Sequence, residues 1–258
     1  MCGEPLIKIS RLPVCEICLD AMHPVAGGLC SVCGERLVSP HAFTAEYGEA
    51  RCGLCRRMEP PFARAIAYGS YESGLRDLVH LLKYQQVRPA ANVLGRMLAE
   101  VIASLEPSFG TGRLLMLPVP LHPSQLRQRG FNQAETVARI ALKLMSSRDR
   151  YLLSGDVLER VRDTQSQTGL TRHQRRENLR GAFRVKRPEI VSGTEILLVD
   201  DVFATGTTVA ECARILRRAG AARVWVATVA RTLKIEAQHA RLEPDADADR
   251  TMAAHGGS

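Results

Sequence analysis

The stretch Glu195-Ile-Leu-Leu-Val-Asp-Asp-Val-Phe-Ala-Thr-Gly-Thr207 decides the fold prediction for this chain. Its apolar run, Ile196–Val199, is typical of a buried parallel strand. The run ends in two adjacent carboxylates, Asp200 and Asp201, and a Gly/Thr loop then leads into a helical pattern that starts near Val209. A strand, an acidic pair, a loop and a helix N-terminus in this order place ligand groups at the carboxyl edge of a parallel sheet.

The loop after the acidic pair predicts a phosphate site. Its five residues offer backbone N–H groups and hydroxyls, and the dipole of the following helix favours an anion. These loop residues are Ala204, Thr205, Gly206, Thr207 and Thr208. If the strand continues, Asp200 and Asp201 point to opposite faces, so at least one of them can reach sugar hydroxyls beside the phosphate. An ordinary β–α connection with an acidic N-cap is the alternative, and so long a pattern makes it the less favoured one.

Strands alternate with helices along much of the chain. Apolar runs predict further strands near 63–71, 114–119, 157–161 and 224–229. Apolar residues at helical spacing predict helices near 74–84, 90–105 and 133–145. This alternation predicts an α/β fold with an open, mainly parallel sheet and helices on both faces. We expect a cysteine-rich module at 1–59, the α/β domain at 60–234, and a tail at 235–258 with too little apolar content to fold.

The composition limits the class of protein. With 258 residues and 45% hydrophobic content, the chain is long enough for one substantial α/β domain and a small appendage. It has no apolar stretch of membrane-spanning length and no signal-peptide pattern at its start. We therefore expect a cytoplasmic protein without membrane insertion. Aromatic residues make up 5% of the chain, too few for an extended surface that stacks nucleic-acid bases.

Positive charge is concentrated in the middle of the chain. The net charge is +8, and residues 122–187 carry 15 Lys and Arg against 6 Asp and Glu. This excess indicates an anionic partner such as a nucleotide, pyrophosphate or nucleic acid, although a solvated Arg-rich surface explains it equally well. His122, Arg127 and Arg129 could hold a pyrophosphate, because guanidinium forks match phosphate oxygens. The polar stretch Arg162–Phe183 predicts a basic, mobile flap that closes over a bound anion.

Six of the eight cysteines form three Cys-x2-Cys pairs, Cys15/Cys18, Cys30/Cys33 and Cys52/Cys55. In a reducing compartment, paired cysteines indicate metal rather than disulfides. The 18 residues between Cys33 and Cys52 lie within the range of zinc ribbons. The spacing therefore predicts a tetrahedral zinc site whose ligands are Cys30, Cys33, Cys52 and Cys55.

A weak internal repeat predicts a second metal site. Cys2-Gly-Glu-Pro-Leu6 resembles Cys33-Gly-Glu-Arg-Leu37, and a Cys-x2-Cys pair follows each of them. The second site would use Cys2, Cys15 and Cys18, and it is incomplete because its leading cysteine would fall before Met1. A crossed pairing, in which Cys15/Cys18 joins Cys30/Cys33, stays open at this point.

Together these motifs resemble the ComF family, competence-associated proteins that combine a type I phosphoribosyltransferase-like domain with an N-terminal double zinc ribbon. The resemblance covers about residues 1–232. The residues that carry it are Cys30–Cys55, Pro118–His122, Arg129–Gln133, Gln165–Thr168 with Arg176 and Asn178, Gly181–Phe183 and Ile196–Thr208. The chain departs from the family pattern in its incomplete first cysteine pair and in the tail beyond Leu233.

The resemblance implies binding of 5-phosphoribosyl-1-pyrophosphate (PRPP) together with Mg²⁺. In that family the acidic pair, here Asp200 and Asp201, holds the ribose hydroxyls and acts in catalysis, and the loop Ala204–Thr208 holds the 5′-phosphate. The implied enzyme transfers a phosphoribosyl group to a nitrogen acceptor and releases pyrophosphate. The alternative is a non-catalytic accessory protein of DNA uptake that binds PRPP and contacts single-stranded DNA or a competence helicase. Glutamine-dependent amidotransfer is not expected, because Cys2 belongs to the metal pattern.

Overall fold

The computed structural model describes residues 11–37, 50–164 and 171–233. Cys2, the motif Gln165–Thr168 and the predicted tail from residue 235 lie outside the described residues. Within these ranges the chain forms an α/β structure. None of its helices is long and apolar enough to cross a membrane.

Seven strands occur in the described residues. They are β1 (Arg64–Ser70), β2 (Leu114–Pro118), β3 (Tyr151–Leu153), β4 (Leu158–Arg160), β5 (Phe183–Val185), β6 (Glu195–Phe203) and β7 (Arg223–Arg231). Five of them form one parallel sheet in the order β3-β2-β6-β7-β1, and β4 pairs with β5 as a separate antiparallel ribbon. The predicted strand β6 lies at the centre of the sheet, and its residues Ile196–Val199 are fully buried. This burial on both faces is why the run is apolar without alternation.

Nine α-helices connect these strands in the described ranges. They are α1 (Glu16–Asp20), α2 (Gly53–Arg57), α3 (Ser73–Tyr84), α4 (Ala90–Leu105), α5 (Pro123–Arg129), α6 (Gln133–Leu144), α7 (Arg172–Leu179), α8 (Pro188–Val191) and α9 (Thr207–Arg218). Helices α3, α4 and α6 each follow the sequence prediction to within a residue. Asn132 starts α6, because its side-chain oxygen accepts hydrogen bonds from the N–H groups of Ala134 and Glu135.

Two apolar clusters lie on opposite faces of the sheet. Leu197 and Val199 of β6 pack into the cluster formed with α3, α4 and α6. Ile196 and Leu198 point the other way, into a cluster formed with α9 and the cysteine-rich segment. This alternation is the expected consequence of a strand with a two-residue period. The prediction of a parallel sheet with helices on both faces is therefore confirmed.

The stretch predicted as a mobile flap is a helix and a strand where it is described. Helix α7 begins with a capping box, in which Thr171 and Gln174 satisfy each other's backbone N–H groups. Leu179 and Phe183 are buried in the second cluster. The flap prediction overlooked these apolar residues because they are spaced widely among arginines.

Candidate active site and metal centre

A cleft of about 330 Å³ opens at the carboxyl edge of the sheet. Asp200 and Asp201 come from the end of β6, Val119–Leu121 from the loop after β2, and Thr232 from the residue after β7. The carboxyl ends of three neighbouring parallel strands therefore meet there. This is the position at which open α/β sheets bind their ligands.

The two carboxylates face different partners. Because β6 continues to Phe203, successive side chains leave opposite faces of the strand. Asp201 is 3% exposed, and its Oδ2 lies 2.8 Å from Nζ of Lys83, at the end of α3. Asp200 accepts a hydrogen bond of 2.9 Å on Oδ1 from the backbone N–H of Asp201. Asp201 is thus held by the ammonium group of Lys83, whereas Asp200 lines the cleft and has no ion-pair partner as close as this.

The environment of the cleft changes the pKa of Asp200 and of Lys83. Burial, and then the adjacent charge of Asp201, raises the pKa of Asp200 to about 8, against the opposing influence of Lys83. Burial lowers the pKa of Lys83, but the charge and hydrogen bond of Asp201 outweigh it, so that the pKa of Lys83 is raised. At neutral pH the cleft therefore contains an ion pair beside a carboxyl group poised to lose its proton.

One position in the loop after β6, Gly206, has a backbone conformation that requires glycine. Gly206 has a φ of +73°, and a Cβ atom there would lie 2.4 Å from Cζ of Phe203. Glycine lets the chain turn into α9 at this point without strain or collision. The first N–H groups of α9 lack intrahelical acceptors, as in any helix, so the turn can present them to an anion.

The predicted loop residues divide between two surfaces. Ala204 and Thr208 line the cleft, whereas Thr205 and Gly206 line a second cavity on the side of the cysteine-rich segment. Thr207 is buried, and its Oγ1 lies 2.8 Å from Oγ1 of Thr205, so the two hydroxyls share a hydrogen bond. The hydrogen bond between these two threonines stabilises the loop, and the loop is accessible both from the cleft and from the second cavity.

A cationic wall faces the acidic pair. Arg129, at the end of α5, donates a hydrogen bond to Oε1 of Gln133 and lies over the ring of Tyr84, 5.7 Å from its centroid. Arg160, in β4, lies 5.7 Å from the ring centroid of Phe183, and burial lowers its pKa. Both arginines line the cleft. They are positioned to bind a polyanionic ligand.

Two residues predicted to contact pyrophosphate do not line the cleft. His122 is the N-cap of α5, and its Nδ1 lies 2.8 Å from Oγ of Ser124 and 3.3 Å from Oδ2 of Asp163. Arg127 lies on α5 outside the cleft lining. Of the three predicted residues, the structure brings only Arg129 to the acidic pair. The other two belong to the short helix α5 and its N-cap, an element absent from the prediction.

Sequence reasoning did not single out three polar residues of the cleft: Tyr71, Lys83 and Arg160. Lys83 follows the apolar residues of an amphipathic helix and looks like a helix-end charge in the sequence. Arg160 belongs to a three-residue strand. No local pattern distinguishes these residues, because their role depends on which elements the fold brings to this edge.

Four cysteines converge beside the second face of the sheet. The sulfur atoms of Cys30, Cys33, Cys52 and Cys55 all lie within 4.8 Å of one another. Sγ of Cys33 and Sγ of Cys52 are 3.7 Å apart. A tetrahedral zinc site with Zn–S bonds of about 2.3 Å would have sulfur atoms about 3.8 Å apart, so the geometry fits a metal ion.

This cluster joins the second and third cysteine pairs, and the crossed pairing does not occur. Cys15 and Cys18 lie apart from it, near the first apolar cluster, to which Cys18 contributes. The N–H of Cys18 donates a hydrogen bond of 3.4 Å to Sγ of Cys15, which caps the N-terminus of α1. Cys2, the third predicted member of that site, lies outside the described residues.

Arg231 connects the cysteine cluster with the loop. It is 5% exposed at the end of β7, and its guanidinium donates hydrogen bonds to the carbonyl oxygen of Cys33 and, at 3.0 Å, to Oε2 of Glu35. The same guanidinium lies 4.5 Å from the ring centroid of Phe203, the residue against which Gly206 packs. A continuous set of contacts therefore runs from the cysteine cluster to the turn before α9.

Comparison with known proteins agrees with this architecture. Residues 130–254 match the family described as phosphoribosyl transferase domain. The DNA utilization protein YhgH of Salmonella typhimurium is 34% identical over 239 residues, which cover 90% of this chain and 96% of that protein. Competence protein F of Haemophilus influenzae is 29% identical over 231 residues, covering 84% and 96%. The chain belongs to the ComF family.

The resemblance to the ComF family that the sequence predicted is therefore confirmed. The match to the phosphoribosyl transferase domain, together with the parallel sheet, also confirms the predicted phosphoribosyltransferase-type fold. Among solved structures, a hypoxanthine phosphoribosyltransferase from Staphylococcus aureus is similar, with 14% identity and a TM-score of 0.33 over 58% of this chain and 69% of that one. The predicted pairing of an α/β domain with a cysteine cluster able to hold metal matches what the structure contains.

Proposed function

We propose that this ComF-family protein binds PRPP with Mg²⁺ in the cleft, transfers its phosphoribosyl group to a nitrogen acceptor, and releases pyrophosphate. The observation that carries the proposal is the acidic pair at the end of β6. It lies between the turn into α9 on one side and the cations of the cleft on the other. PRPP has the matching sequence of groups: a 5′-phosphate, ribose hydroxyls and a pyrophosphate.

Each part of PRPP has a proposed partner. The turn at Ala204–Thr208 would take the 5′-phosphate on N–H and hydroxyl groups, helped by the dipole of α9. Asp200 and Asp201 would accept hydrogen bonds from the ribose hydroxyls. Arg129 and Arg160 would contact the pyrophosphate from the cationic wall. Mg²⁺ bound to the pyrophosphate would neutralise part of its charge.

The chemistry follows from this arrangement. When the bond from C1 to the pyrophosphate oxygen weakens, positive charge develops on the ribose ring. The carboxylates beneath the ring stabilise that charge, because they are fixed before the reaction starts. Lys83 supports this role by holding Asp201 in place through the ion pair. The guanidinium groups stabilise the departing pyrophosphate.

We further propose that Cys30, Cys33, Cys52 and Cys55 hold a structural Zn²⁺. Four thiolates in a closed tetrahedral site are the donor set typical of structural zinc. The module would comprise residues 1–59 and the phosphoribosyltransferase-like domain residues 60–234. Cys15 and Cys18, together with Cys2, are proposed as a second, incomplete site.

Calorimetry with PRPP and Mg²⁺ tests the main proposal. The wild-type protein should bind one PRPP per chain, and Asp200→Asn with Asp201→Asn should weaken binding by about a hundredfold or more, because two charged acceptors of the ribose hydroxyls become neutral amides. Asp149→Asn, a matched change of a side chain that is 95% exposed, should leave the affinity unchanged. Equal affinity in the double variant would refute the assignment. A screen for pyrophosphate release over nitrogen acceptors then tests for turnover.

A role in DNA handling is the second candidate. It is favoured by the names of the relatives, a DNA utilization protein and a competence protein, and by the basic segment 122–187. Salt-sensitive binding of single-stranded DNA would support it, since each neutralised phosphate releases a counterion. Measuring DNA affinity with and without PRPP, at two salt concentrations, distinguishes the sites: competition would assign both ligands to the cleft. No binding at low salt would end this candidate.

A further inference from the structure

Lys83 is a cation of the cleft whose hydrogen-bonding capacity is only partly used. Its side chain is 16% exposed and lines the cleft from the end of α3. An ammonium group has three N–H donors. Among the described residues the structure gives these donors one acceptor, Oδ2 of Asp201 at 2.8 Å. Because a largely buried donor without an acceptor is unfavourable, the group is ready to bind acceptor atoms of a ligand.

We propose that Lys83 binds PRPP directly, with its ammonium group bridging Asp201 and the pyrophosphate, and that it takes the place of a divalent cation beside Asp201. One Mg²⁺ per PRPP is then sufficient for binding. The inference rests on the proposed function, because it takes PRPP to occupy the cleft. It adds a third cation to the two arginines of the cationic wall and makes α3 part of the substrate site.

Lys83 and Arg129 approach the cleft close to one another. The guanidinium of Arg129 lies 5.7 Å from the ring centroid of Tyr84, the residue that follows Lys83. Both cations line the cleft, as does Gln133, which accepts a hydrogen bond from Arg129. Two neighbouring cations can share a pyrophosphate, because its oxygen atoms are spread over two phosphorus centres.

The side from which Lys83 approaches favours the pyrophosphate over the 5′-phosphate. Helix α3 packs in the first apolar cluster and α9 in the second, on opposite faces of the sheet. Lys83 and the turn before α9, which is proposed for the 5′-phosphate, therefore reach the acidic pair from opposite sides. PRPP carries its two anionic groups on different carbons of the ribose, C5 and C1. When the 5′-phosphate lies at the turn, the group that remains for Lys83 is the pyrophosphate.

A metal ion bound to Asp201 would compete with Lys83. Mg²⁺ prefers carboxylate and phosphate oxygens as ligands. The Asp201 side chain is 4% exposed, and its charge is already balanced by the ammonium group at 2.8 Å. A Mg²⁺ ion on the same carboxylate would bring two positive charges close together in a largely buried place, where their repulsion is strong. Lys83 therefore supplies the charge that a metal ion would otherwise supply at Asp201.

Lys83 comes from a part of the chain that precedes the matched domain. Residues 130–254 match the phosphoribosyl transferase domain, and they contain Asp200, Asp201 and the turn into α9. Helix α3 ends at Tyr84, well before that segment. The ammonium group is thus an addition to the acidic pair from outside the matched domain.

The test measures how PRPP affinity depends on Mg²⁺ in the full-length protein. Calorimetry would cover a tenfold range of Mg²⁺ concentration in which free PRPP already carries one Mg²⁺. The wild-type affinity should stay constant, because binding takes up no further metal ion. Lys83→Gln should bind PRPP about tenfold more weakly at the lower end of the range, since a charged hydrogen bond is lost. Its affinity should then rise about tenfold across the range, as a second Mg²⁺ replaces the missing charge.

Two further variants control for charge and for substitution as such. Lys83→Arg keeps a cation beside Asp201, and its PRPP affinity should be independent of Mg²⁺, as in the wild-type protein. Lys143→Gln, at an exposed position near the end of α6, should have the wild-type affinity at every Mg²⁺ concentration. Thermal unfolding shows whether each variant is folded under the conditions of the titration.

The outcomes separate this inference from the proposed function. Failure of the wild-type protein to bind PRPP at any Mg²⁺ concentration would remove the proposed function and the role of Lys83 with it. PRPP binding that strengthens with Mg²⁺ in the wild-type protein would overturn the role of Lys83 alone, since a second metal ion would then be taken up. An affinity of Lys83→Gln that does not depend on Mg²⁺ would overturn it as well. The wild-type titration decides the matter even if Lys83→Gln does not fold.

Discussion

Nζ of Lys83 lies 2.8 Å from Oδ2 of Asp201, and the two side chains are 16% and 4% exposed. This ion pair joins the end of α3 to the central strand β6 across the floor of the cleft. Its neighbour Asp200 has a different environment. Burial, and then the charge of Asp201, raises the pKa of Asp200 to about 8, and the charge of Lys83 opposes this shift.

Loss of Lys83 should destabilise the protein. Lys83→Met leaves the carboxylate of Asp201 buried without its cation, which costs about 3–5 kcal/mol in comparable buried pairs. Denaturant unfolding of the metal-loaded protein measures this change. Lys143→Met, at an exposed position near the end of α6, should shift the free energy of unfolding by less than about 0.5 kcal/mol. An additional Asp201→Leu change should recover part of the loss; stability equal to wild type in Lys83→Met alone would contradict the account.

PRPP affinity should increase as the pH rises from 7 to 9. The ribose hydroxyls donate hydrogen bonds and therefore bind the ionised form of Asp200, whose pKa is raised to about 8. Below that pH, binding must release one proton, so calorimetry should give an affinity about tenfold weaker at pH 7 than at pH 9. In Asp200→Asn the affinity is lower and should not change over this range. A similar pH dependence in that variant would assign the titration to another group.

The same group should affect stability without ligand. In the unfolded chain Asp200 ionises near its usual value of 3.8, whereas in the folded protein it keeps its proton to about pH 8. Between these values the folded state binds more protons, so this group lowers stability as the pH rises from about 4 to 8. The free energy of unfolding of Asp200→Asn, measured relative to wild type, should therefore increase as the pH rises over that range. Thermal unfolding at pH 4.5 and pH 8.5 measures the difference.

The protein should contain a metal ion held by the four-cysteine cluster. Protein purified without chelators should carry at least one zinc per chain in elemental analysis. Cys52→Ser should lose that ion and much of the stability, because metal binding contributes folding free energy directly. Cys212→Ala, a change at the buried cysteine of α9, should keep the full metal content. Full metal content in Cys52→Ser would exclude this cluster as the site.

Arg231 should couple the metal site to PRPP binding although it does not line the cleft. Arg231→Met removes the hydrogen bonds to Cys33 and Glu35 and the contact with Phe203, so we expect weaker metal retention and weaker PRPP binding together. Arg231→Lys should restore little, because lysine lacks the planar fork. Arg223→Met is the matched control. Arg223, at the other end of β7, also lies over an aromatic ring and pairs with a glutamate, but it is 52% exposed.

The pattern of the sequence was sufficient for the sheet, the larger helices and the acidic loop. The helices show apolar residues at helical spacing over eleven or more positions, and the acidic loop has a distinctive sequence motif. The central strand shows both an apolar run, Ile196–Val199, and the two carboxylates that follow it. The elements that escaped prediction are three to eight residues long, such as β3, β5, α5 and α7. Such segments have no measurable period, and their structure depends on the elements that surround them.

The site was predictable only where its residues are contiguous. Asp200, Asp201 and the turn into α9 follow one another in the chain, and the cysteines have a recognisable spacing. Lys83 and Arg160 reach the cleft from different elements, and only the strand order brings them there. The pyrophosphate role of His122 and Arg127 stays a prediction; the two residues belong to α5 and its N-cap and lie outside the cleft lining.

The cysteine cluster shares its apolar surroundings with the sheet. Cys30, Cys33 and Cys55 belong to the same buried cluster as Leu198 and Val226. A fragment that begins at residue 60 would leave this face of the sheet uncovered, and exposed apolar patches of that kind promote self-association. Truncated versions of the protein should consequently aggregate when they are overproduced, and an insertion of foreign sequence should be tolerated better on the opposite edge, near β3.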